Sequence, residues 1–353
     1  MFSFTKWKEI NGANLRNFDE AETYNGFKTG LELRSEIEKI VDTIWNKGFD
    51  SIYFIGIGGT YASSMQVEVH MRGKSNLPIY VENAAEFLTT GNKRFTKKSV
   101  CIISSVSGNT KEMVQLVDKI HEIGGTVFSF VDTPNSILTN DDKSDYLIVS
   151  PKNEQLKFYM VANYLMYKNG EFEDYEQYNL ELENHLAAAL CKVEKDVDSW
   201  AYEYAKSKVE FLDKNPELPH YFIGSGNQYG ATYSYAMCYW EEQMWIRTKS
   251  ISCQEFFHGM QEIIEKDTPV TLFIGEDEQR PLAVRVAKFL PKVCSNYLII
   301  DTSEFELSGI SNKYRGSISH LVMMAVNRRI DAYMEHFLRH PMTIRRYYRQ
   351  FDY

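Results

Sequence analysis

Short apolar runs alternate with longer amphipathic segments along most of the chain. Each run is bounded by polar or glycine-rich residues and has the length of a buried strand. These runs predict strands at 51–57, 77–83, 99–104, 126–131, 145–150, 220–225, 249–253, 270–275 and 296–301. The segments between them predict helices from Leu31 to Ile44, at 110–123, at 154–212 with a break near Asn169 and Gly170, at 229–245 and at 316–338. This alternation is typical of parallel sheets covered by helices.

Two of the predicted strands end in nearly the same glycine turn. The letters YFIG at 53–56 are followed by Gly58, and the letters YFIG at 221–224 are followed by Gly226. Both copies have the form of a buried strand that enters a glycine turn and then a helix, which is the first half of a βαβ unit. We therefore predict a duplicated α/β module with two strand-end crevices, of which only one needs to keep the chemistry.

Composition and charge narrow the class of protein. The 353 residues suffice for two domains, and 44% hydrophobic with 25% charged residues is typical of a soluble globular protein. No signal peptide is visible, and no apolar stretch reaches the length of a membrane span. Five cysteines without a CxxC pair favour reduced thiols in a cytoplasmic protein. A net charge of −9 argues against a nucleic-acid surface.

The sharpest local motif follows the third predicted strand. Hydroxyls at Ser105, Ser107 and Thr110 accompany the flexible Gly108 and the amide of Asn109. A neighbouring strand end carries Gly58, Gly59 and Thr60. Neutral donors at a strand end that faces a helix N-terminus form a cradle for an anion, which favours a phosphate site. A simple helix N-cap is the alternative, and the GxxxxGK[ST] pattern of a P-loop is missing.

A second constellation lies in the later module. Glu242 ends an aromatic-rich predicted helix, where partial burial would suit a general base. His258 follows two phenylalanines and precedes a glycine, and its imidazole suits proton transfer to a sugar oxygen. On these residues alone, a solvated glutamate and a hydrogen-bonded core histidine are the slightly better explanation. The eight histidines contain no HxH or HExxH spacing, so no metal site is expected.

Taken in order, these motifs resemble the sugar isomerase (SIS) domain family over most of the chain. The resemblance rests on the two glycine turns, the hydroxyl loop, and the sequence E-F-x-H-G that contains His258 downstream of Glu242. It implies an α/β protein with two tandem flavodoxin-like, parallel-sheet αβα modules joined by long helices. The expected domains are a helical lead at 1–46, a first SIS domain at 47–170, a helical connection at 171–212, a second SIS domain at 213–338, and a tail over the active site at 339–353.

The same resemblance implies roles for individual residues and requires no cofactor or metal. Glu242 would be the acid–base on C1 and C2 of an open-chain sugar. His258 would assist ring opening from the partner subunit, which implies a homodimer, and Glu255 would support the site. The phosphate of the sugar would be held by Gly58, Gly59, Thr60, Ser105, Ser107, Gly108, Asn109 and Thr110.

Departures from the family pattern indicate a subgroup. The last lysine is Lys313, so the tail lacks the Schiff-base lysine of the isomerase half of glucosamine-6-phosphate synthase, and Val106 replaces the usual glutamine. The ending at 340–353 resembles the tail of the fructoselysine- and glucoselysine-6-phosphate deglycases. It favours a lid at the amino acid end of the substrate, with Arg345 or Arg346 on its α-carboxylate. A tail that packs for stability alone is the alternative.

Three functions remain open. The first is a deglycase that cleaves a phosphorylated glycated amino acid, an Amadori-type product, to a hexose 6-phosphate and a free amino acid through an enaminol. The second is an aldose–ketose sugar-phosphate isomerase that uses the same phosphate loop and glutamate. The third is a non-enzymatic sugar-phosphate sensor, and it is the least favoured because the 46 leading residues lack a basic recognition helix. The sequence does not distinguish an amine on C1 from one on C2.

Overall fold

Two compact units make up the part of the protein that the computed structural model describes, residues 15–140, 142–348 and 350–351. The first unit runs from Asn25 to Glu183, and the second combines the described residues up to Tyr24 with those from Asn184 onward. The first 14 residues of the expected helical lead, and Arg349, Asp352 and Tyr353 of the expected tail, lie outside the described residues. Among the described residues, no helix is long and apolar enough to cross a membrane.

The first unit contains a five-stranded parallel sheet. The elements up to Glu183 are α1 (Glu20–Glu32), α2 (Arg34–Lys47), β1 (Ser51–Gly56), α3 (Gly59–Arg72), β2 (Ile79–Asn83), α4 (Ala84–Thr90), β3 (Ser99–Ser105), α5 (Lys111–Ile123), β4 (Thr126–Val131), β5 (Tyr146–Val149), α6 (Glu154–Lys168) and α7 (Tyr175–Glu181). The strand order is β2-β1-β3-β4-β5, and every pairing is parallel. The flavodoxin-like order is thereby confirmed.

The core of this unit fills both faces of the sheet. All residues of β1 and β3 are buried, as expected for parallel strands that are covered by helices on two sides. On one face, Tyr53 and Ile103 pack in a cluster with Leu116 of α5. On the other face, Phe54 meets Phe158 of α6 edge to face, with 5.4 Å between the ring centroids. The sheet therefore holds its strand ends, and the loops that follow them, on a rigid base.

The second unit repeats this plan with one strand fewer. Its elements are α8 (Ala187–Lys214), β6 (His220–Gly224), α9 (Asn227–Ser234), β7 (Thr248–Ser252), α10 (Cys253–Phe256), β8 (Val270–Ile274), α11 (Arg280–Val293), β9 (Tyr297–Asp301) and α12 (Asn312–Leu338). The order β7-β6-β8-β9, again all parallel, reproduces the first four positions of the other sheet. The predicted duplication of a parallel α/β module therefore agrees with the two sheets.

Some predicted helix bounds are corrected by the structure. The helix expected from Leu31 to Ile44 is two helices, α1 and α2, that meet at Leu33. The helix expected at 229–245 is the α-helix α9 followed by a π-helix at Tyr235–Glu241. A second π-helical segment, Leu182–Leu186, lies within the long predicted helical region. Helices α4, α10 and α11 were not predicted.

Candidate functional site

The hydroxyl loop joins β3 to α5 and is closed by its own serine. Gly108 has φ of +61°, and its N–H donates to Oγ of Ser105 at 3.1 Å. A Cβ atom at Gly108 would lie 1.9 Å from Oγ of Ser136, so only glycine fits here. Ser105 is buried and its hydroxyl is used in shaping the loop. The structure thus assigns this serine an internal partner, whereas the sequence had suggested a direct phosphate contact.

Ser107 and Thr110 form the accessible part of the same loop. Their hydroxyl oxygens are 3.5 Å apart, and both residues are half-buried. Oγ of Ser107 accepts the N–H of Asn109 at 3.2 Å, while Oδ1 of Asn109 accepts the N–H of Ile137 at 2.9 Å. Thr110 is the N-cap residue of α5, but its side chain bonds to none of the helix amides. The positive end of this 13-residue helix and two hydroxyls are therefore available to an anion.

The first glycine turn, residues 58–60, is closed in a different way. Gly58 has φ of +60° and precedes α3, which begins at Gly59. Oγ1 of Thr60 accepts the N–H of Ile57 at 3.0 Å and donates to the carbonyl of Ile57 at 3.0 Å. The hydroxyl of Thr60 thus shapes the turn, and a phosphate contact from this residue stays a prediction.

A buried carboxyl at the same end of the sheet, on Glu154, was not among the candidate site residues predicted from the sequence. Glu154 begins α6, and its carboxyl lies beside the hydroxyls of Ser63 and Ser104, with Asp132 and Lys157 nearby. Burial raises the pKa of Glu154 above its usual value. The signal in the sequence was its position directly after the strand at 145–150, where strand-end side chains gather.

The second unit presents Glu242 at the end of a π-helix. The N–H of Glu242 donates to the carbonyl of Met237 at 3.0 Å, which continues the wide i to i−5 pattern of Tyr235–Glu241 by one more residue. Widened helical turns of this kind are frequent at functional sites because they change the direction of the side chains that follow. The side chain of Glu242 is 35% exposed, which agrees with the partial burial expected from the aromatic sequence around it.

The C-terminal tail reaches Glu242. Nε of Arg345 donates to Oε1 of Glu242 at 2.7 Å, and Nη1 of Arg345 donates to the carbonyl of Met342 at 2.7 Å. The pair lies in a cavity of about 600 Å³, whose lining includes Glu241, Trp245, Arg346 and Tyr347. Glutamate, arginines and aromatic rings from two distant parts of the sequence therefore share one cavity. Aromatic side chains of the tail are largely exposed, since Tyr347 is 61% exposed and Phe351 is 64% exposed.

His258 and Glu255 lie elsewhere on this unit. Both are exposed on and after α10, and neither lines the cavity that holds Glu242. Neither side chain has a hydrogen-bond or ion-pair partner within the described part of the chain. The alternative of a hydrogen-bonded core histidine is therefore wrong, and a role for His258 requires a group that this unit does not supply.

The π-helix is anchored by a buried pair. The hydroxyl of Tyr235 donates to Oδ1 of Asp331 on α12 at 2.7 Å, and both residues are buried. Burial raises the pKa of Asp331 to about 8, although the bond from Tyr235 and the charge of Arg328 act in the opposite direction. The folded protein therefore holds a proton on Asp331 at a pH where the unfolded chain has lost it.

Stability should consequently fall as the pH rises between the unfolded and the folded pKa of Asp331. Between pH 4 and pH 8 the slope from this group is at most about 1.4 kcal/mol per pH unit. Asp331→Asn keeps an oxygen acceptor for Tyr235 and removes the titration. We expect urea unfolding midpoints at pH 5 and pH 8 to differ less in Asp331→Asn than in the wild type. The exposed Asp213→Asn serves as the control, and an unchanged slope in Asp331→Asn would contradict the assignment.

At the second glycine turn, the position of an anion at the helix end is taken by a carboxylate of the protein itself. The N–H of Asn227, which begins α9, donates to Oδ2 of Asp277 at 2.7 Å, and the N–H of Gly226 donates to Oε1 of Gln279 at 3.1 Å. A Cβ atom at Gly226 would lie 2.0 Å from Oδ2 of Asp277. A carboxylate from the loop after β8 thus stands where an anion would bind. The expectation that only one crevice keeps the phosphate chemistry fits this arrangement.

Comparison with known proteins relates this geometry to a family. The family model of the SIS domain matches residues 44–167. Fructosamine deglycase FrlB from Bacillus subtilis is 26% identical over 332 residues, which are 91% of this chain and 98% of FrlB. A glutamine–fructose-6-phosphate aminotransferase (isomerizing) from Streptococcus agalactiae is 25% identical over 94% of this chain, and the match spans only 55% of that longer protein.

Solved structures give the same relationship. A Bacillus subtilis protein described as a phosphosugar isomerase superposes with a TM-score of 0.83 at 25% identity, over 90% of this chain and 97% of that one. A Salmonella typhimurium protein of the same description gives a TM-score of 0.82 at 22% identity, over 91% and 99% of the two chains. Residues 44–167 therefore match the SIS domain, and over nearly its whole length the chain is similar in sequence and in fold to proteins described as a fructosamine deglycase and as phosphosugar isomerases.

Proposed function

We propose that this protein is an enzyme of the SIS domain family and a sugar-amine 6-phosphate deglycase. Its substrate would be a phosphorylated glycated amino acid, such as fructoselysine 6-phosphate or glucoselysine 6-phosphate, and its products a hexose 6-phosphate and the free amino acid. The observation that carries the proposal is Glu242, a carboxylate on the wall of a cavity that also contains cationic and aromatic side chains. The similarity to fructosamine deglycase FrlB over nearly the whole of both chains supports it.

The chemistry needs one carboxylate that works on neighbouring carbons. After ring opening, the base removes the proton from the amine-bearing carbon, which is acidic because it is bonded to the carbonyl carbon, and an enaminol forms. Return of the proton to the adjacent carbon gives an imine, which water hydrolyses to the sugar phosphate and the amine. Glu242 would carry the proton in both steps, because its Oε1 accepts from Arg345 while the rest of the carboxylate faces the cavity.

The phosphate of the substrate would bind to the hydroxyl loop of the first unit. Ser107 and Thr110 offer hydroxyls beside the free N-terminal end of α5. Because the phosphate is remote from the reacting carbons, its binding energy would serve to position the sugar.

Loss of either hydroxyl should weaken substrate binding with little effect on turnover. Ser107→Ala and Thr110→Ala each remove one neutral hydrogen bond, so we expect KM to rise by about twofold to tenfold. Thr89→Ala, which removes an exposed hydroxyl that bonds only within α4, is the matched control. Steady-state kinetics on a 6-phosphorylated substrate measure the effect. An unchanged KM in both variants would show that the phosphate of the substrate does not bind to this loop.

His258 would act across a homodimer in the cytoplasm. It is exposed and lacks a side-chain partner within the described residues of its own chain, as expected for a group that functions against a second copy. We expect His258→Ala and Glu242→Gln to be inactive alone. Mixed after unfolding and refolding together, they should recover up to about a quarter of the wild-type activity, because half of the chains form mixed dimers that each contain one intact site. No recovery on mixing would place His258 in the site of its own chain or outside catalysis.

An aldose–ketose isomerase is the second candidate, favoured by the similarity to a protein described as a phosphosugar isomerase. The same proton transfer without an amine on the substrate would give this activity. Assays for amino acid release from 6-phosphorylated substrates with the amine on C1 or on C2, run beside assays for interconversion of hexose 6-phosphates, decide between the two. Interconversion without amine release would replace the deglycase proposal.

A further inference from the structure

Trp245 has a backbone conformation that large side chains rarely adopt. Its φ is +58°, in the left-handed region that usually holds glycine or asparagine at the end of a helix. The turn is closed around it, since the N–H of Ile246 donates to the carbonyl of Trp240 at 2.9 Å. A tryptophan kept at a strained position points to a use for its ring.

The ring of Trp245 supports an arginine from the tail. The guanidinium carbon of Arg346 lies 4.4 Å from the centroid of Trp245 and 5.9 Å from that of Tyr347. The ring of His340 meets Trp245 at a centroid distance of 4.2 Å and an interplanar angle of 62°. A guanidinium stacked on an aromatic ring leaves its N–H edge free to donate two parallel hydrogen bonds.

Arg346 also differs in charge balance from the other arginines that line this cavity. Arg345 is paired with Glu242 at 2.7 Å, and Arg247 with Glu217 at 3.1 Å. Arg346 has no carboxylate or carbonyl acceptor within the described part of the chain. The other cavity carboxylate, on Glu241, accepts from Oγ1 of Thr248 at 2.6 Å. Among the described residues, Arg346 is therefore the arginine of this cavity whose guanidinium is oriented by an aromatic ring but not paired with a carboxylate.

We propose that Arg346 on the ring of Trp245 is a carboxylate subsite, which takes the α-carboxylate of the amino acid part of the substrate. The assignment rests on the proposed deglycase function for the identity of the ligand. A planar guanidinium held in one orientation matches a carboxylate through a bidentate pair. Arg345 has the separate task of holding Glu242, so the two adjacent arginines divide recognition and positioning between them.

The test compares two substrates that differ only in this carboxylate. Fructoselysine 6-phosphate carries it, and fructosylcadaverine 6-phosphate, with the same chain and terminal amine, does not. We expect the wild type to prefer the first compound in kcat/KM by about tenfold to hundredfold, the range of a charge-assisted contact. Arg346→Gln should abolish the preference, because it lowers kcat/KM for fructoselysine 6-phosphate by about tenfold to hundredfold more than for the cadaverine compound. Arg339→Gln, which alters an exposed tail arginine outside the cavity, should keep the preference.

A variant of Trp245 tests separately whether the ring of this residue orients Arg346. Trp245→Gly removes the ring and suits the left-handed backbone, so we expect the preference to fall while the melting temperature stays within a few degrees of the wild type. A loss that is equal for both compounds in Arg346→Gln would overturn the subsite, as would a wild type without preference. If neither compound is turned over, the deglycase proposal fails; calorimetric titration of the same two compounds then tests the subsite alone, through a carboxylate-dependent affinity that Arg346→Gln removes.

Discussion

Glu242→Gln should lower kcat by about 10²–10⁴, the usual contribution of a positioned acid–base group. The amide retains an oxygen that can accept from Arg345, so the tail contact at 2.7 Å and the fold should persist. We therefore expect KM and the melting temperature to stay close to the wild-type values. The measurement is steady-state release of amino acid from a 6-phosphorylated substrate, together with thermal unfolding of the same samples.

The neighbouring glutamate provides the control for this variant. Glu241 lines the same cavity, but its carboxylate already accepts from Oγ1 of Thr248. Glu241→Gln should therefore keep most of the activity. If Glu242→Gln turns over at a near-normal rate, Glu242 is not the base, and a large loss in Glu241→Gln would transfer the role to that residue.

Removal of residues 344–353 should abolish the proposed deglycase activity and leave the melting temperature nearly unchanged. The deletion takes away Arg345, which holds Glu242, and Arg346, which lies on the cavity wall. It removes little buried surface, since Ile344, Tyr347, Tyr348 and Phe351 are each at least 41% exposed. Activity assays and thermal unfolding of the truncated protein measure both effects.

Two controls separate a loss of active-site groups from a loss of folding in the truncated protein. The double variant Arg345→Ala with Arg346→Ala keeps the chain length and should reproduce most of the loss. If the truncated protein unfolds, the tail serves stability. If it turns over at full rate, the tail is irrelevant to the site, and the proposed use of the two arginines fails.

The fold was largely predictable because burial decides the strands. All residues of β1 and β3 are buried, so their sequences are nearly continuous apolar runs that stand out from the helices. Helices were predicted less well, because periodicity does not show every interruption. The apolar spacing continues across Leu33, where α1 ends and α2 begins, and the prolines at 281 and 291 hid the helical pattern of α11.

Residues of the candidate site could be predicted only where one short segment of the sequence contains the whole motif. The hydroxyl loop and Glu242 follow from local motifs, but the bond from Arg345 to Glu242 joins residues 103 positions apart and depends on the path of the tail. The π-helix before Glu242 is equally invisible, since its residues fit the 3.6-residue period of an ordinary helix. Asp277 belongs to no motif, and only the folded chain shows that it reaches the second glycine turn.

The carboxylate of Asp277 gives the second unit a built-in counterion. Helix α9 begins at Asn227, whose N–H donates to that carboxylate, and it leads directly into the segment that bears Glu242. An anion supplied by the chain itself keeps this helix end electrostatically satisfied whether or not substrate is present. Helix α5, which follows the hydroxyl loop of the first unit, has no side-chain hydrogen bond from its N-cap residue. The helix end before the segment that bears Glu242 is therefore balanced by the chain itself, whereas the N-terminal end of α5 would need an anion from outside the chain.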